Sequence, residues 1–420
     1  MKRALVVGGG PCGIFAVGAL LKHTVHITWV DKGGFQIGRL PIYSSVPANT
    51  RNDYLISAFE NLPALAFDSC DGPRELLQQN VFSTANLGTS VEALEHATFH
   101  LLSHPRVNPV PNASVKQMVL DDINVHVDVG TVQQQQQQQQ QQWNVRTEDN
   151  DGKLVSTFSV DSVILCLGAR PRTPTIATLT ALQQHGIELI DHDDAVCPDF
   201  FDNTSIDTNL KNKKLVIVGA SHSGCLAARN AVLNGATVDL LGLDPNGVRF
   251  AEFRGDETIQ NADSIDSIDS TPSPPRTTAE CSWIKYDGTG LKGVVSEWTK
   301  NELAKKTEIQ LRYHCIDSTA EIDTVAKIIQ LGADAVTWTT GFTAAEECST
   351  IQVVGVDGEH VDLLQAHDGR TGTFHGAPGV VGGGLAFPEI WQDPDGFVEG
   401  RVGFVKHYSN HLERMLENIL

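Results

Sequence analysis

The stretch Ala4-Leu5-Val6-Val7-Gly8-Gly9-Gly10-Pro11-Cys12-Gly13 decides the fold, because the chain repeats its pattern 211 residues later as Leu215-Val216-Ile217-Val218-Gly219-Ala220-Ser221-His222-Ser223-Gly224. In each copy an apolar run of strand length enters a glycine-rich turn and then a helix-like segment. A second apolar strand follows, Val25 to Val30 in the first copy and Thr237 to Leu241 in the second. Glycine suits such a turn because the backbone must bend tightly and come close to a pyrophosphate, toward which the following helix points its free N–H groups. One GxGxxG is a weak signal. Two in register, each inside a strand–turn–helix–strand unit, predict two dinucleotide sites.

The differences between the copies assign the two cofactors. Asp31 closes the second strand of the first unit, where a carboxylate can accept hydrogen bonds from ribose hydroxyls, as for FAD or NAD. The equivalent position in the second unit is Gly242, which leaves no carboxylate to repel a 2′-phosphate; Asp244 stands two residues on, and Arg249 is the first nearby cation. The first site is therefore read as FAD and the second as NADPH or NADH. Ser221 replaces the second glycine of the motif and adds a small side chain near the phosphates.

Outside these units the chain is ordinary in composition. At 420 residues it is long enough for two or three domains, and 41% hydrophobic with 20% charged residues is usual for a globular protein. A net charge of −20 argues against non-specific nucleic-acid binding, which needs a positive surface. The 8 cysteines form no CxxC or zinc-ribbon pattern and fit free thiols in a reducing cytosol. With the first strand starting near Met1 and no apolar run approaching the roughly 20 residues of a membrane span, a cytoplasmic protein without a membrane segment is expected.

Residues 31 to 53 are glycine-rich and loop-like, suited to draping over the ribityl and pyrophosphate parts of a flavin; Lys32, Arg39 and Leu40 lie here, Arg39 being the residue expected to see a phosphate. His96, His100 and His104 fall at i, i+4 and i+8 of a helical stretch over 85–104. They read as a solvated face rather than a metal site, since no HExxH pattern accompanies them. From Ser114 to Leu167 short strands follow one another, beginning with Val115, in a β-meander interrupted by the glutamine tract Gln133–Gln142 at an expected hairpin tip. The acid-, serine- and proline-rich stretch at about 254–280 reads as a flexible insertion. Phe404, Tyr408, Leu412, Met415 and Ile419 recur at helical spacing and predict a final amphipathic helix.

The order of motifs resembles the two-dinucleotide-binding-domain flavoproteins, which include flavin-containing and N-hydroxylating monooxygenases and the pyridine nucleotide-disulfide oxidoreductases. Besides the two glycine turns, Val163-Ile164-Leu165-Cys166-Leu167-Gly168-Ala169-Arg170-Pro171 looks like the family's "ATG" strand and turn. Ala335-Val336-Thr337-Trp338-Thr339-Thr340-Gly341-Phe342 looks like its "aTGf" return strand. The Gly219–Gly224 turn is similar to the GxSxSG variant of flavin monooxygenases. The resemblance implies an α/β fold of two Rossmann-like, three-layer domains with a β-meander. An FAD-binding domain spans 1–210 and 335–420, and an NAD(P)-binding domain, 211–334, is inserted in it.

By the same resemblance the function is FAD-dependent, NAD(P)H-consuming and monooxygenase-like, with a small-molecule substrate or electron acceptor; a homodimer is compatible with it. The alternatives are a flavoprotein NAD(P)H dehydrogenase or reductase passing electrons to a small acceptor or partner, and a non-enzymic nucleotide sensor. No FxGxxxH signature precedes the second turn, although His192 lies in that region, and the cysteine pair of disulfide reductases is missing. The expected cofactor-binding set is Gly8, Gly10, Pro11, Cys12, Gly13, Asp31, Lys32, Arg39, Leu40, Val115, Gly168, Gly219, Ser221, His222, Ser223, Gly224, Gly341, Gly383 and Gly384. Cys12 is read as a small helix-start residue. No catalytic residue and no metal ligand is assigned.

Overall fold

The computed structural model describes residues 1–60, 62, 64, 84–123, 140–198, 210–251, 282–285, 290–317, 319–392, 398–401 and 406–420. Two five-stranded sheets organise them, and every pairing within each sheet is parallel. The first sheet orders its strands Val380–Gly382, Ser162–Leu165, Lys2–Val7, Val25–Asp31, Val107–Pro111; the second orders them Glu188–Ile190, Ala335–Trp338, Lys214–Val218, Thr237–Gly242, Leu311–Cys315. The nearly unbroken apolar runs Ala4–Val7 and Leu215–Val218 are explained by this arrangement, since a central parallel strand is covered on both faces.

In each sheet the strand that enters the glycine turn is flanked on one side by its immediate successor and on the other by a strand from much later in the chain. That is a topological switch point, where the chain leaves opposite faces of the sheet and a crevice opens at the carboxyl ends of the strands. Glu188–Ile190 lies before the expected boundary at 211, and Ala335–Trp338 lies beyond the one at 334, yet both are strands of the second sheet. Sheet membership thus extends the second unit at both ends. Ser162–Leu165, which the sequence reads as the last strand of the meander, is instead a strand of the first sheet.

The first sheet is sandwiched between helices and the meander. On one face Ile14, Phe15, Leu94, Leu101, Leu412 and Met415 form a core with Val6 and Ile27, joining the helices Pro11–Leu20, Leu87–Leu102 and Lys406–Glu417. Pro11–Leu20 is apolar all round and buried all round, because the final helix covers its outer side. On the other face Leu5, Val7, Val163 and Leu165 pack on the meander, whose strands are Ala113–Ile123, Gln140–Asp149 and Leu154–Val160 with Gln352–Val354 added at the edge. The second sheet is covered by separate cores on its two faces.

Some local expectations shift. Gln140, Gln141 and Gln142 continue a strand paired with Ile123, Asp122 and Asp121, so the end of the glutamine tract takes part in the hairpin. The earlier glutamines, the 254–280 insertion and Phe404 lie outside the described residues. The helix carrying His96 and His100 ends at Leu102, which leaves His104 off the face they share, its Nδ1 accepting from the Arg106 N–H at 3.2 Å. No group of three or more metal-ligating side chains exists among the described residues, and no described helix is long and apolar enough to cross a membrane.

Met415 is fully buried between the first helix and the turn at Gly383. Met415→Ala is expected to cost roughly 2–5 kcal/mol through the cavity it leaves, read as a lowered unfolding midpoint, while an exposed control such as Ile322→Ala leaves the midpoint nearly unchanged.

Candidate functional site

The two glycine turns have the same geometry. Gly8 takes φ +113° and Gly219 φ +112°, a region open to glycine but strained for any side chain. The Gly8 N–H donates to the Val30 carbonyl at 2.8 Å, and the Gly219 N–H donates to the Leu241 carbonyl at 2.9 Å. A Cβ on Gly13 would stand 1.9 Å from the Gly8 carbonyl oxygen, and one on Gly224 would stand 1.8 Å from that of Gly219. Each first glycine also presses on the residue that follows the neighbouring strand: a Cβ on Gly8 would lie 2.1 Å from the Cys166 carbonyl oxygen, and one on Gly219 would lie 2.5 Å from that of Thr339. Both turns therefore require glycine for packing alone.

Gly10 is different. A Cβ there would meet nothing within 4 Å among the described residues, so the space beside it is left open by them. The two helices that leave the turns, Pro11–Leu20 and His222–Leu233, start at Gly10 and Ser221 without any side-chain cap. Their first-turn N–H groups remain available to an anion in front of them. Pro11 occupies the first helical position, where no N–H is missed.

Asp31 occupies the expected place at the end of the strand and binds backbone. Its Oδ1 accepts the Gly9 N–H at 2.7 Å, and its Oδ2 accepts the N–H groups of Gly33 at 3.0 Å and Phe35 at 2.7 Å. A carboxylate has about four acceptor positions, so this clamp leaves capacity for a ribose hydroxyl. It also holds the following loop, in which Phe35 and Ile37 adopt φ of 66° and 58° and are buried despite having side chains. At Gly38 the loop returns over the turn, where an added Cβ would stand 3.5 Å from the Gly10 Cα. Gly383 and Gly384 arrive from the other side: the Gly383 N–H donates to the Leu165 carbonyl at 3.0 Å, and a Cβ there would approach Cys12 Sγ at 3.0 Å. Gly8, Gly10, Pro11, Cys12, Gly13, Asp31, Gly383 and Gly384 are thus gathered at one place.

Other expected residues are placed elsewhere. Arg39, expected at a phosphate, pairs with Asp193 of the second unit, whose Oδ1 also accepts the Tyr43 hydroxyl at 2.5 Å. Burial raises the Asp193 pKa, but hydrogen bonds from His192 and Tyr43 and the Arg39 charge outweigh it and bring it down to about 2. Lys32 bridges to Glu347 at 2.8 Å, and that hydrogen bond raises its pKa. Leu40 packs against the first core, and the Val115 side chain is buried under the meander, beside a bulge that breaks its register with the next strand. Gly168 and Gly341 take φ of 77° and 95° where the chain passes between the sheets, and the two crossings pair side by side through Ala169–Pro171 and Phe342–Ala344.

Ser221 is exposed and Ser223 partly buried at the second turn. His222 turns away from them. Its Nε2 lies 3.1 Å from the Pro47 carbonyl oxygen, which makes Nε2 the protonated nitrogen, and Nδ1 is shut off from solvent with no hydrogen-bond partner among the described residues. Burial pushes its pKa down to about 4, against the pull of the Pro47 hydrogen bond and together with the Lys292 charge. Sequence reading missed four ties that hold this region. Trp29 Nε1–H donates to the Gly8 carbonyl at 3.0 Å, and Thr339 Oγ1–H reaches the Gly219 carbonyl at the same distance. Asn49 Nδ2–H donates to the Gly290 carbonyl at 3.1 Å, and Asn49 Oδ1 accepts the Lys292 N–H at 2.9 Å. The only signals for them in sequence are an aromatic two residues before Asp31 and a threonine just past an apolar strand.

Comparison with known proteins agrees with this arrangement. The profile of the family described as pyridine nucleotide-disulphide oxidoreductase matches residues 2–371. A protein named monooxygenase AgnR1 from Paecilomyces divaricatus is 27% identical over 417 residues, covering 96% of this chain and 94% of its own length. Among solved structures, the bacillithiol disulfide reductase Bdr (YpdA) of Bacillus cereus shares 12% identity at a TM-score of 0.51, covering 100% of this chain and 98% of that one. A cyclohexanone monooxygenase mutant from Rhodococcus sp. Phi1 bound to NADP+ shares 11% identity at a TM-score of 0.52, covering 100% and 85%. At these identities the likeness is one of fold.

The His222 pKa of about 4 lies below the ordinary 6.5, so the unfolded chain binds a proton that the folded chain refuses. Stability from this group is complete above about pH 6.5 and falls as the pH drops toward 4. His222→Phe is expected to flatten the stability curve across that interval, as measured by denaturant unfolding at stepped pH.

Proposed function

Since the chain belongs to the pyridine nucleotide-disulphide oxidoreductase family, whose enzymes depend on FAD and NAD(P), we propose that it is an FAD-containing, NADPH-consuming oxidoreductase of the monooxygenase kind, acting on a small molecule with O₂. The observation that carries this reading is the pair of matched glycine turns, each with a positive-φ glycine, an uncapped helix and a switch point beneath it. The full-length similarity to a protein named a monooxygenase supports the choice of reaction. The strands of the second sheet fall, in sequence, between Leu165 and Val380 of the first, which supports an NAD(P)-binding domain inserted in an FAD-binding one.

The residues present fit both groups. At the first turn the open space beside Gly10 and the N–H groups of the Pro11–Leu20 helix would receive the flavin's pyrophosphate, with Asp31 toward its ribose and Gly383 and Gly384 alongside. At the second, Ser221, Ser223 and the N–H groups of the next helix would hold the nicotinamide coenzyme's pyrophosphate. A bound flavin supplies the redox chemistry, accepting hydride from reduced nicotinamide and passing electrons onward.

NADPH is favoured over NADH because of Gly242. A Cβ there would stand 2.5 Å from the Tyr313 hydroxyl, so no side chain fits and no carboxylate can oppose a 2′-phosphate. Arg249, held 3.6 Å from Asp244, is the cation nearest in sequence. His222, neutral at physiological pH and bonded to Pro47, positions the strand Pro47–Arg51 against the second turn rather than exchanging protons.

The deciding experiment is an anaerobic titration of the purified protein with NADPH and then NADH, following flavin absorbance. Yellow protein bleached by NADPH, followed by substrate-dependent O₂ uptake, is the expected result. Colourless protein, or flavin that neither coenzyme bleaches, overturns the redox assignment. Rapid reduction of a quinone dye without substrate-dependent O₂ uptake would replace monooxygenation by simple electron transfer. In the same assay Gly13→Ala is expected to lose flavin, whereas Gly224→Ala retains it and binds NADPH roughly tenfold more weakly or worse, about 1.4 kcal/mol.

A further inference from the structure

Cys12 and Cys166 are 154 residues apart in sequence, and nothing in their spacing pairs them. The fold nevertheless brings their sulfurs to 3.3 Å, with the Cys166 S–H donating to Cys12 Sγ. Both thiols are buried and neither is part of a disulfide. Cys12 stands in the first turn of the Pro11–Leu20 helix, and Cys166 immediately follows the strand Ser162–Leu165, so the pair ties together the two elements that frame the first glycine turn. Gly383 leaves room beside the sulfur of Cys12, since a Cβ there would crowd it at 3.0 Å.

We infer that Cys12 and Cys166 form a peroxide-oxidisable dithiol that closes to an intramolecular disulfide beneath the flavin-binding turn. This goes beyond the proposed reaction and does not depend on it. A disulfide needs sulfurs about 2.0 Å apart, so closure asks for a sulfur movement of little more than an ångström, within reach of side-chain rotation. Cys12 is the attacking sulfur for two reasons. It accepts the S–H hydrogen bond rather than donating it, and it lies in the first turn of the helix beside the room that Gly383 leaves. Cys166 is the resolving thiol: its hydrogen bond to Cys12 and its burial raise its pKa well above the usual thiol value, which keeps it protonated.

The chemistry balances with hydrogen peroxide as oxidant. The Cys12 sulfur attacks one peroxide oxygen, the O–O bond breaks and water leaves, giving a sulfenic acid at Cys12. The Cys166 sulfur then attacks the Cys12 sulfur, the S–O bond breaks, a second water leaves and the S–S bond forms. Two thiols lose two electrons and two protons, and the peroxide is reduced to two waters.

The test uses the full-length protein as purified with its flavin, reduced, desalted and exposed to hydrogen peroxide, then unfolded, alkylated, digested and mapped by mass spectrometry. The expected result is the loss of the Cys12 and Cys166 thiols to alkylation, with a peptide linking Cys12 to Cys166 that dithiothreitol separates. In Cys166→Ser the same treatment should leave Cys12 as a sulfenic acid that dimedone labels. If Cys12 and Cys166 both remain alkylatable at a peroxide dose that fully oxidises the exposed Cys315, or if Cys12 is found linked to a different cysteine, the inference is overturned. The wild-type map decides the matter even if the serine variant does not fold.

Discussion

At both glycine turns the carbonyl oxygen of one glycine is pressed against the Cα of another five residues later, at a distance that excludes any side chain. That contact fixes where the helix starts relative to the strand. It is possible because the first glycine takes a left-handed φ, and it is held by an N–H bond to the adjacent strand and by a hydrogen bond on the carbonyl itself, from Trp29 in one unit and Thr339 in the other. Two chemically different side chains do the same mechanical job. The turn geometry is the constraint, and its supports are interchangeable.

With the helix so placed, its N-cap residue makes no side-chain capping bond to the first-turn N–H groups. Backbone donors left bare at a helix start are costly unless water or a ligand meets them, and their positive end favours an anion. The first unit adds a carboxylate that gathers its own loop, and the second substitutes a glycine pinned by Tyr313. The same scaffold thus carries different chemistry beside each turn, and this is the physical basis for reading one turn as a flavin site and the other as a nicotinamide site.

The segment from Arg39 to Arg51 follows the first glycine unit in sequence but makes several of its polar bonds with residues of the second. Arg39 and Tyr43 meet Asp193, Pro47 accepts from His222, and Asn49 bridges Gly290 and Lys292, while Val46 is buried in the core of the second sheet. These are mostly partly buried interactions, in which charge and hydrogen bonding are stronger than at an open surface. They couple the two glycine turns mechanically. Arg39, which from sequence belongs at a phosphate, is spoken for by this coupling.

Legible along the chain were the two strand–turn–helix–strand units, the place of Asp31 and its replacement by Gly242, and the final helix. Each rests on local rules: glycine where φ must be positive, apolar runs where parallel strands are covered on both faces, helical spacing where a helix docks. Folding in three dimensions supplied everything that depends on distant segments meeting. It assigned Glu188–Ile190 to the second sheet, took His104 off the helix face, turned His222 toward Pro47, drew Arg39 to Asp193 and set Cys12 beside Cys166. Such pairings follow from strand order and sheet packing, which join residues more than a hundred positions apart, and no periodicity or spacing along the chain encodes a distance across it.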